Sequence, residues 1–295
     1  MEKRKLGNTG MEVTVLGFGA AEIGYRGVPQ DTVHRLINSA LDAGLNIIDT
    51  AECYPDSEEK IGQAVSGRRS EYFLFTKCGH DAAGKHWDPA VMAAGVDRSL
   101  KRLRTDRLDL LQLHSCTEAQ LRQGDVVEVV KRAREAGKTR FIGYSGDGLA
   151  ALYAVQSGLF DTLQISVSIA DQEAIDLVLP EAKRRAMGVI AKRPIANAIW
   201  KEPAKPDPYY QTYWERFHQL DYDFLNGDMR RTVSAALRFT ISVDGVHTAI
   251  VGTTQPDRWR QNAELLNAGP LAPAEFNAIR TRWKTVAGPD WIGQM

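Results

Sequence analysis

The sequence predicts an α/β protein folded as a closed (β/α)8 TIM barrel, in which each of eight parallel strands is followed by a helix. Short apolar β-like runs alternate with amphipathic helical segments along almost the whole chain. The length agrees, because such a barrel takes about 250 residues and the chain has 295. No linker rich in Gly, Ser or Pro divides it, so we expect one domain spanning residues 1–295.

The first predicted strand lies in TVLGFGA and follows residues 1–12, which resemble a β-hairpin that could close the bottom of the barrel. DTVHRLINSALDAG, residues 31–44, is the clearest helix because its apolar side chains recur on one face. We expect Asp31 to cap its start and Gly44 to end it, with the second strand beginning at Leu45.

The same alternation continues to the end of the chain. The third strand, EYFLFTK, leads to a helix opened by Asp88-Pro89, where Pro suits the first turn. The later strands are predicted in RLDLLQLH, TRFIGYS, TLQIS, GVIAK and HTAIV, with helices near 124–136, 147–157, 170–185, 231–241 and 256–267. Two additions are expected: a lid-like insertion after the seventh strand, residues 193–230, and an extra C-terminal helix at 273–285.

Charge and composition argue against several partners and locations. Lys+Arg and Asp+Glu are both 37, so no basic excess favours nucleic acid or an anionic membrane. No signal-like or membrane-spanning apolar stretch is present, which predicts a soluble cytoplasmic protein. The three cysteines are expected to be reduced, and the histidine and cysteine spacings disfavour a metal site.

Polar side chains stand where three predicted strands end. Asp49 ends the second strand with Tyr54 in the loop beyond it, Lys77 ends the third, and His114 ends the fourth. Taken alone, each of these residues is more typical of a turn, of a solvated surface position or of ordinary packing. Together they would face one barrel mouth, where a buried Lys77 needs a partner such as Asp49. A phenol and an imidazole beside that pair form a plausible proton-transfer centre.

These residues resemble the signature of the aldo-keto reductases. IIDTAECY is similar to the family's Asp-Thr-Ala-x-x-Tyr motif, TKC to its strand-end lysine and DLLQLH to its strand-end histidine. The likeness runs from LGNTGMEVTVLGFGA to TAIVGTTQPDRWRQNAEL. It implies hydride transfer from a reduced nicotinamide to an aldehyde or ketone, as in an alcohol dehydrogenase or carbonyl reductase. Tyr54 would be the general acid, its pKa lowered by Lys77; Asp49 would hold Lys77, and His114 would donate a hydrogen bond to the carbonyl oxygen.

The resemblance also implies cofactor contacts, with two departures. Ser145 and Gln164 match residues that bind the nicotinamide carboxamide, but Gly146 replaces an Asn. Lys192 stands where many members stack a Tyr on the nicotinamide. A cation there should disfavour the oxidised ring unless Lys192 turns toward the pyrophosphate.

The segment GTTQPDRWRQN is similar to the family's loop for the adenosine end of the cofactor. By position, the residues around the adenosine phosphate and adenine would be Gly252, Thr253, Thr254, Gln255, Arg258, Gln261 and Asn262. Arg258 favours NADP(H), while NAD(H) stays open. Trp87 and Trp291 are candidate walls of a partly apolar substrate pocket.

Two other functions stay open. One is a nicotinamide-binding regulatory or sensor subunit with slow turnover, similar to the potassium-channel β subunits of the family. The other is a barrel that binds a different small ligand and no nucleotide.

Overall fold

Eight parallel strands close into a barrel in the computed structural model, which describes residues 1–80 and 86–294. The barrel strands lie side by side in chain order, and the fold class predicted from the sequence is confirmed. After the hairpin strands β1 (Lys3–Lys5) and β2 (Glu12–Thr14), the barrel consists of β3 (Leu16–Gly19), β4 (Ile47–Asp49), β5 (Phe73–Cys78), β6 (Leu108–His114), β7 (Thr139–Ser145), β8 (Thr162–Ser166), β9 (Gly188–Lys192) and β10 (Thr248–Val251).

The hairpin closes the bottom of the barrel, as the sequence predicts. Leu6 and Met11 are buried in a cluster with inward-facing side chains such as Phe75 and Leu110. Gly7 makes this approach possible, since it has a φ of +52° and a Cβ there would overlap the backbone of Gly188.

Helices cover the outside of the barrel. They are α1 (Ala21–Tyr25), α2 (Gln30–Asp42), α3 (Ser57–Val65), α4 (Pro89–Leu103), α5 (Glu118–Gln123), α6 (Asp125–Glu135), α7 (Gly148–Ser157), α8 (Glu173–Leu177), α9 (Leu179–Arg184), α10 (Pro208–Leu220), α11 (Met229–Ser242), α12 (Arg258–Leu265) and α13 (Pro273–Val286). The predicted insertion contains α10 between two 3-10 turns, and α13 is the predicted extra helix. Among the helices that the structure describes, none has both the length and the apolar composition needed to cross a bilayer.

Two local expectations were wrong. Helix α2 begins one residue early with Pro29 at the N-cap, so Asp31 lies inside the first turn and makes no capping hydrogen bond. The single helix expected near 170–185 is divided into α8 and α9 at Val178. Pro180 accounts for the break, because proline lacks a backbone N–H and its ring clashes with the preceding turn. By contrast, Asp88 caps α4 as predicted, accepting hydrogen bonds from Ala90 N and Val91 N.

Strand register sets the heights of the candidate site residues. Lys77 of β5 is level with Gln112 of β6, and His114 is level with Ser145 of β7. Ser145 is in turn level with Gln164 of β8. Parallel strands all present their carboxyl ends at one rim, so these side chains can meet above the barrel interior.

Close packing between α3 and α4 predicts that Gly62→Ala is destabilising. A Cβ on Gly62 would overlap the backbone oxygen of Arg102. Overpacking of this kind costs roughly 1–3 kcal/mol, although Ala is the better helix former. Denaturant titration should show a lower free energy of unfolding. Gly67→Ala is the matched control, because nothing lies within 4 Å of its Cβ position; equal stability of the two variants would contradict this account.

Candidate active site

A buried ion pair between Asp49 and Lys77 lies at the rim of the barrel. Lys77 Nζ is 2.5 Å from Asp49 Oδ1 and donates to Thr50 O at 2.8 Å, and both side chains are only 2% exposed. Asp49 Oδ2 accepts from Gln164 Nε2 at 3.0 Å and from Gln112 Nε2 at 3.3 Å. Both carboxylate oxygens therefore have partners, which a buried pair needs to offset the loss of hydration.

Tyr54 lies beside this pair, in the loop between β4 and α3. The ammonium of Lys77 is 5.4 Å from the centroid of the Tyr54 ring. The ring centroid of His114 is 5.9 Å from that of Tyr54, and the Tyr25 ring is 5.6 Å away on another side. The structure thus brings the four predicted catalytic residues together; the roles assigned to them stay predictions.

The pKa of Tyr54 departs from the expected direction. Burial raises this pKa well above its usual value, and the Asp49 carboxylate raises it further. Lys77 was expected to lower the pKa of Tyr54. Its ammonium is instead hydrogen-bonded to Asp49, and burial of the phenol outweighs its effect. Tyr54 therefore keeps its proton throughout the neutral range.

His114 is shifted toward its neutral form. Burial lowers the pKa of His114 well below its usual value of 6.5, and the charge of Lys77 lowers it further. The ring of His80 stands 5.5 Å from it, and Cys53 Sγ lies 3.5 Å from His114 Nδ1. A neutral imidazole keeps one N–H, so His114 can donate a hydrogen bond without carrying a charge.

Ser145 and Gln164 meet at the rim, and their predicted role in holding a carboxamide stays a prediction. Ser145 Oγ donates to Gln164 Oε1 at 3.0 Å, and the amide nitrogen of Gln164 reaches Asp49. Gly146 has a structural reason to lack a side chain, because a Cβ there would overlap the Tyr144 hydroxyl. That hydroxyl donates to Cys116 O at 2.7 Å. A hydroxyl beside an amide suits a carboxamide ligand.

Lys192 has an acidic partner that the sequence analysis missed. Its ammonium is 2.7 Å from Asp147 Oδ2, and Asp147 Oδ1 accepts from Ser166 N at 2.8 Å. Burial lowers the pKa of Lys192 and Asp147 opposes this. The sequence offered one signal for this pair, since Asp147 is an acidic residue just beyond the end of a predicted strand. The pairing reduces the positive charge that Lys192 could place under a nicotinamide.

The segment after β10 gathers hydroxyl, amide and guanidinium groups. Arg258 is exposed at the start of α12, donates to Gln255 Oε1 at 2.8 Å, and has no carboxylate partner among the residues that the structure describes. Thr253 Oγ1 accepts from Gln255 N at 3.1 Å. The other predicted contacts lie in this loop (Gly252, Thr254) and in α12 (Gln261, Asn262). A helix N-terminus beside a guanidinium that has no carboxylate partner among the described residues fits a phosphate.

The two predicted pocket walls lie in different surroundings. Trp87 packs edge-on to His80, with the ring centroids 5.0 Å apart, and His80 in turn packs on His114. The His80 ring therefore lies between Trp87 and the site. Trp291 is 8% exposed and packs 5.1 Å from the guanidinium of Arg216. Their contact with a substrate stays a prediction.

Three further residues near the site were not singled out from the sequence. Tyr25 in α1 packs on Tyr54, while Tyr209 in α10 accepts a hydrogen bond from Arg193 Nη2 at 3.0 Å. Arg193 follows Lys192 and has a left-handed backbone, with a φ of +54°. Tyr25 was detectable as an aromatic residue just beyond the first strand; Tyr209 and Arg193 required the path of the insertion.

Comparison with known proteins identifies the family of the chain. A sequence model described as the Aldo/keto reductase family matches residues 15–284. L-galactose dehydrogenase of Arabidopsis thaliana is 32% identical, with 100% of this chain and 99% of that protein aligned. D-threo-aldose 1-dehydrogenase of a Pseudomonas species is 25% identical over 86% of this chain and 90% of that protein.

A solved structure shows the same fold. The holo form of an aldo-keto reductase from Bacillus halodurans superposes with a TM-score of 0.82 at 25% identity and covers 99% of both chains. With a family match over most of the sequence and a relative above 30% identity along its full length, the chain belongs to the aldo/keto reductase family.

Proposed function

We propose that this protein is an NADP(H)-dependent oxidoreductase that reduces small aldehydes or ketones to alcohols, with Tyr54 as the general acid. The observation that carries the proposal is the buried Asp49–Lys77 pair with Tyr54 and His114 on the same rim. Family membership supports nicotinamide-dependent oxidoreduction in general.

The side chains present suit the cofactor. A reduced nicotinamide supplies the hydride when it is bound. Ser145 and Gln164 would hold its carboxamide, and Lys192, whose charge is partly neutralised by Asp147, would be a further contact. Arg258, together with backbone N–H groups at the start of α12, would hold the phosphate that distinguishes NADP from NAD.

The protein groups supply two hydrogen-bond donors to the carbonyl oxygen. Tyr54 is protonated because burial raises its pKa, and His114 is neutral because burial lowers its pKa. As charge develops on the oxygen, His114 stabilises it and Tyr54 transfers its proton. The transfer is downhill, since an alcohol holds its proton more tightly than a phenol. Lys77, held by Asp49, becomes the countercharge to the tyrosinate that remains.

The tests must separate reduction from two other outcomes. Two relatives are named as sugar dehydrogenases, so the substrate panel includes aldoses with the oxidised cofactor as well as aldehydes with the reduced one. A regulatory subunit would bind NADPH tightly and turn over none of these substrates. Tryptophan fluorescence that is unaltered by NADPH would point to a barrel for another ligand.

Tyr54→Phe should abolish most turnover without weakening the cofactor complex. General acid catalysis contributes about 10²–10⁴-fold, so kcat for aldehyde reduction should fall at least ~100-fold. Absorbance loss from NADPH measures kcat, and fluorescence titration measures the Kd of NADPH. Tyr153→Phe on α7 is the control. Turnover equal to wild type in Tyr54→Phe would remove this residue from the mechanism.

The pKa directions predict the pH dependence of both reaction directions. Tyr54 donates only while protonated, and its raised pKa keeps it so well beyond neutrality. His114 gains charge only far below its usual value of 6.5. Reduction should therefore have a constant kcat/KM from about pH 6 to 9. Alcohol oxidation needs the tyrosinate and should rise with pH over that range. A reduction profile that falls between about pH 7 and 8 would contradict these assignments.

Arg258→Gln should weaken NADPH binding far more than NADH binding. Losing a hydrogen-bonded contact to a charged phosphate costs roughly tenfold or more in affinity, and NADH lacks that phosphate. Fluorescence titration with both cofactors gives the ratio of the two Kd values. Arg260→Gln is the matched control on the same helix, because Arg260 already pairs with Asp257 and Glu264. An equal loss of affinity for NADH and NADPH would show that Arg258 does not contact the phosphate that distinguishes them.

A further inference from the structure

The role proposed for His114 depends on which ring nitrogen carries the hydrogen. A neutral imidazole has one N–H, and the other nitrogen is an acceptor. Its tautomer is set by the partner of the nitrogen that faces away from the ligand. The residue in contact with Nδ1 therefore decides whether Nε2 can donate.

Cys53 makes that contact. Its Sγ is 3.5 Å from His114 Nδ1, within the range for a hydrogen bond to sulfur. The backbone around Cys53 is fixed, since Tyr54 N donates to Ala51 O at 3.1 Å and Tyr25 OH donates to Cys53 O at 3.4 Å. The thiol is thus held against the imidazole by the same loop that positions Tyr54.

The other groups facing His114 in the described residues approach the ring differently. The rings of His80 and Tyr54 meet it edge-on, at centroid distances of 5.5 Å and 5.9 Å. Lys77, Lys192 and Arg193 act on it through their charge, and each disfavours the imidazolium. Among the described residues, none of these groups is hydrogen-bonded to Nδ1, which Cys53 Sγ contacts.

Both partners are in the protonation state that the contact needs. Burial raises the pKa of Cys53 to about 11, so the sulfur keeps its hydrogen at neutral pH. His114 is neutral. A thiol can donate and an unprotonated Nδ1 can accept, which leaves the ring hydrogen on Nε2.

We propose that Cys53 is a positioning residue whose S–H donates to His114 Nδ1 and holds the imidazole in its Nε2–H tautomer. In that tautomer the far nitrogen is the donor that a carbonyl oxygen needs. The catalytic consequence rests on the proposed carbonyl reduction, whereas the tautomer itself does not.

The tautomer can be read without any substrate. Long-range ¹H–¹⁵N correlation spectra of the full-length protein with ¹⁵N-labelled histidine report which nitrogen of His114 is protonated, with assignment by His114→Gln. Wild type should show Nε2–H. Cys53→Ala should populate Nδ1–H, and Cys53→Ser should restore Nε2–H because a hydroxyl also donates. Cys116→Ala, two residues beyond His114, should leave the signals unchanged.

Kinetics supply the second readout. Cys53→Ala should lower kcat/KM for aldehyde reduction about 2–10-fold, the range of one hydrogen bond, and Cys53→Ser should recover most of it. Circular dichroism and the Tm of each variant identify any that fail to fold. If all of them reduce no carbonyl but the tautomer responds as expected, the function proposal fails and the Cys53 contact stands.

Two results would overturn the inference. One is a wild-type spectrum with the hydrogen on Nδ1. The other is a Cys53→Ala spectrum identical to that of wild type, since the thiol would then have no influence on the tautomer.

Discussion

The buried ion pair of Asp49 and Lys77 is the constraint around which the rim of this barrel is arranged. Two charges removed from water are tolerated only when each is paired and its remaining hydrogen-bonding capacity is used. Here Thr50 O, Gln112 and Gln164 complete the pair. Removing either charge would leave the other unpaired in a dry site, at a cost of about 3–5 kcal/mol. The pair thus links strands β4, β5, β6 and β8 as well as serving the chemistry.

One physical cause, burial, sets the protonation of the two groups beside that pair. Desolvation disfavours the charged form of any group, so it raises the pKa of a phenol and lowers that of an imidazole. Tyr54 and His114 move in these opposite directions, and both end as neutral donors at the same pH. Two neutral donors next to a fixed, internally paired cation suit a site where negative charge develops on an oxygen.

The two departures from the family pattern are connected in the fold. The residue after Gly146 is Asp147, whose carboxylate reaches across β8 to Lys192. Gly146 leaves room for the Tyr144 hydroxyl, which donates to Cys116 O. A third buried pair, Arg216 with Asp171, supports the insertion where it meets the C-terminal tail. The charge of Lys192 is offset by Asp147, whereas Arg193 donates to the Tyr209 hydroxyl.

The sequence by itself determined the order of strands and helices, because apolar periodicity and strand-end polar residues are local signals. It also identified Asp49, Tyr54, Lys77 and His114, since parallel strands that end in polar groups must present them at one rim. The helix break before Pro180 was also a local signal, since proline cannot continue a helix, but the sequence analysis did not use it. Only the tertiary structure decided the partners of Lys192 and Cys53, and the direction of the Tyr54 pKa. Those outcomes depend on distances between residues far apart in the chain and on how completely closure of the barrel excludes water.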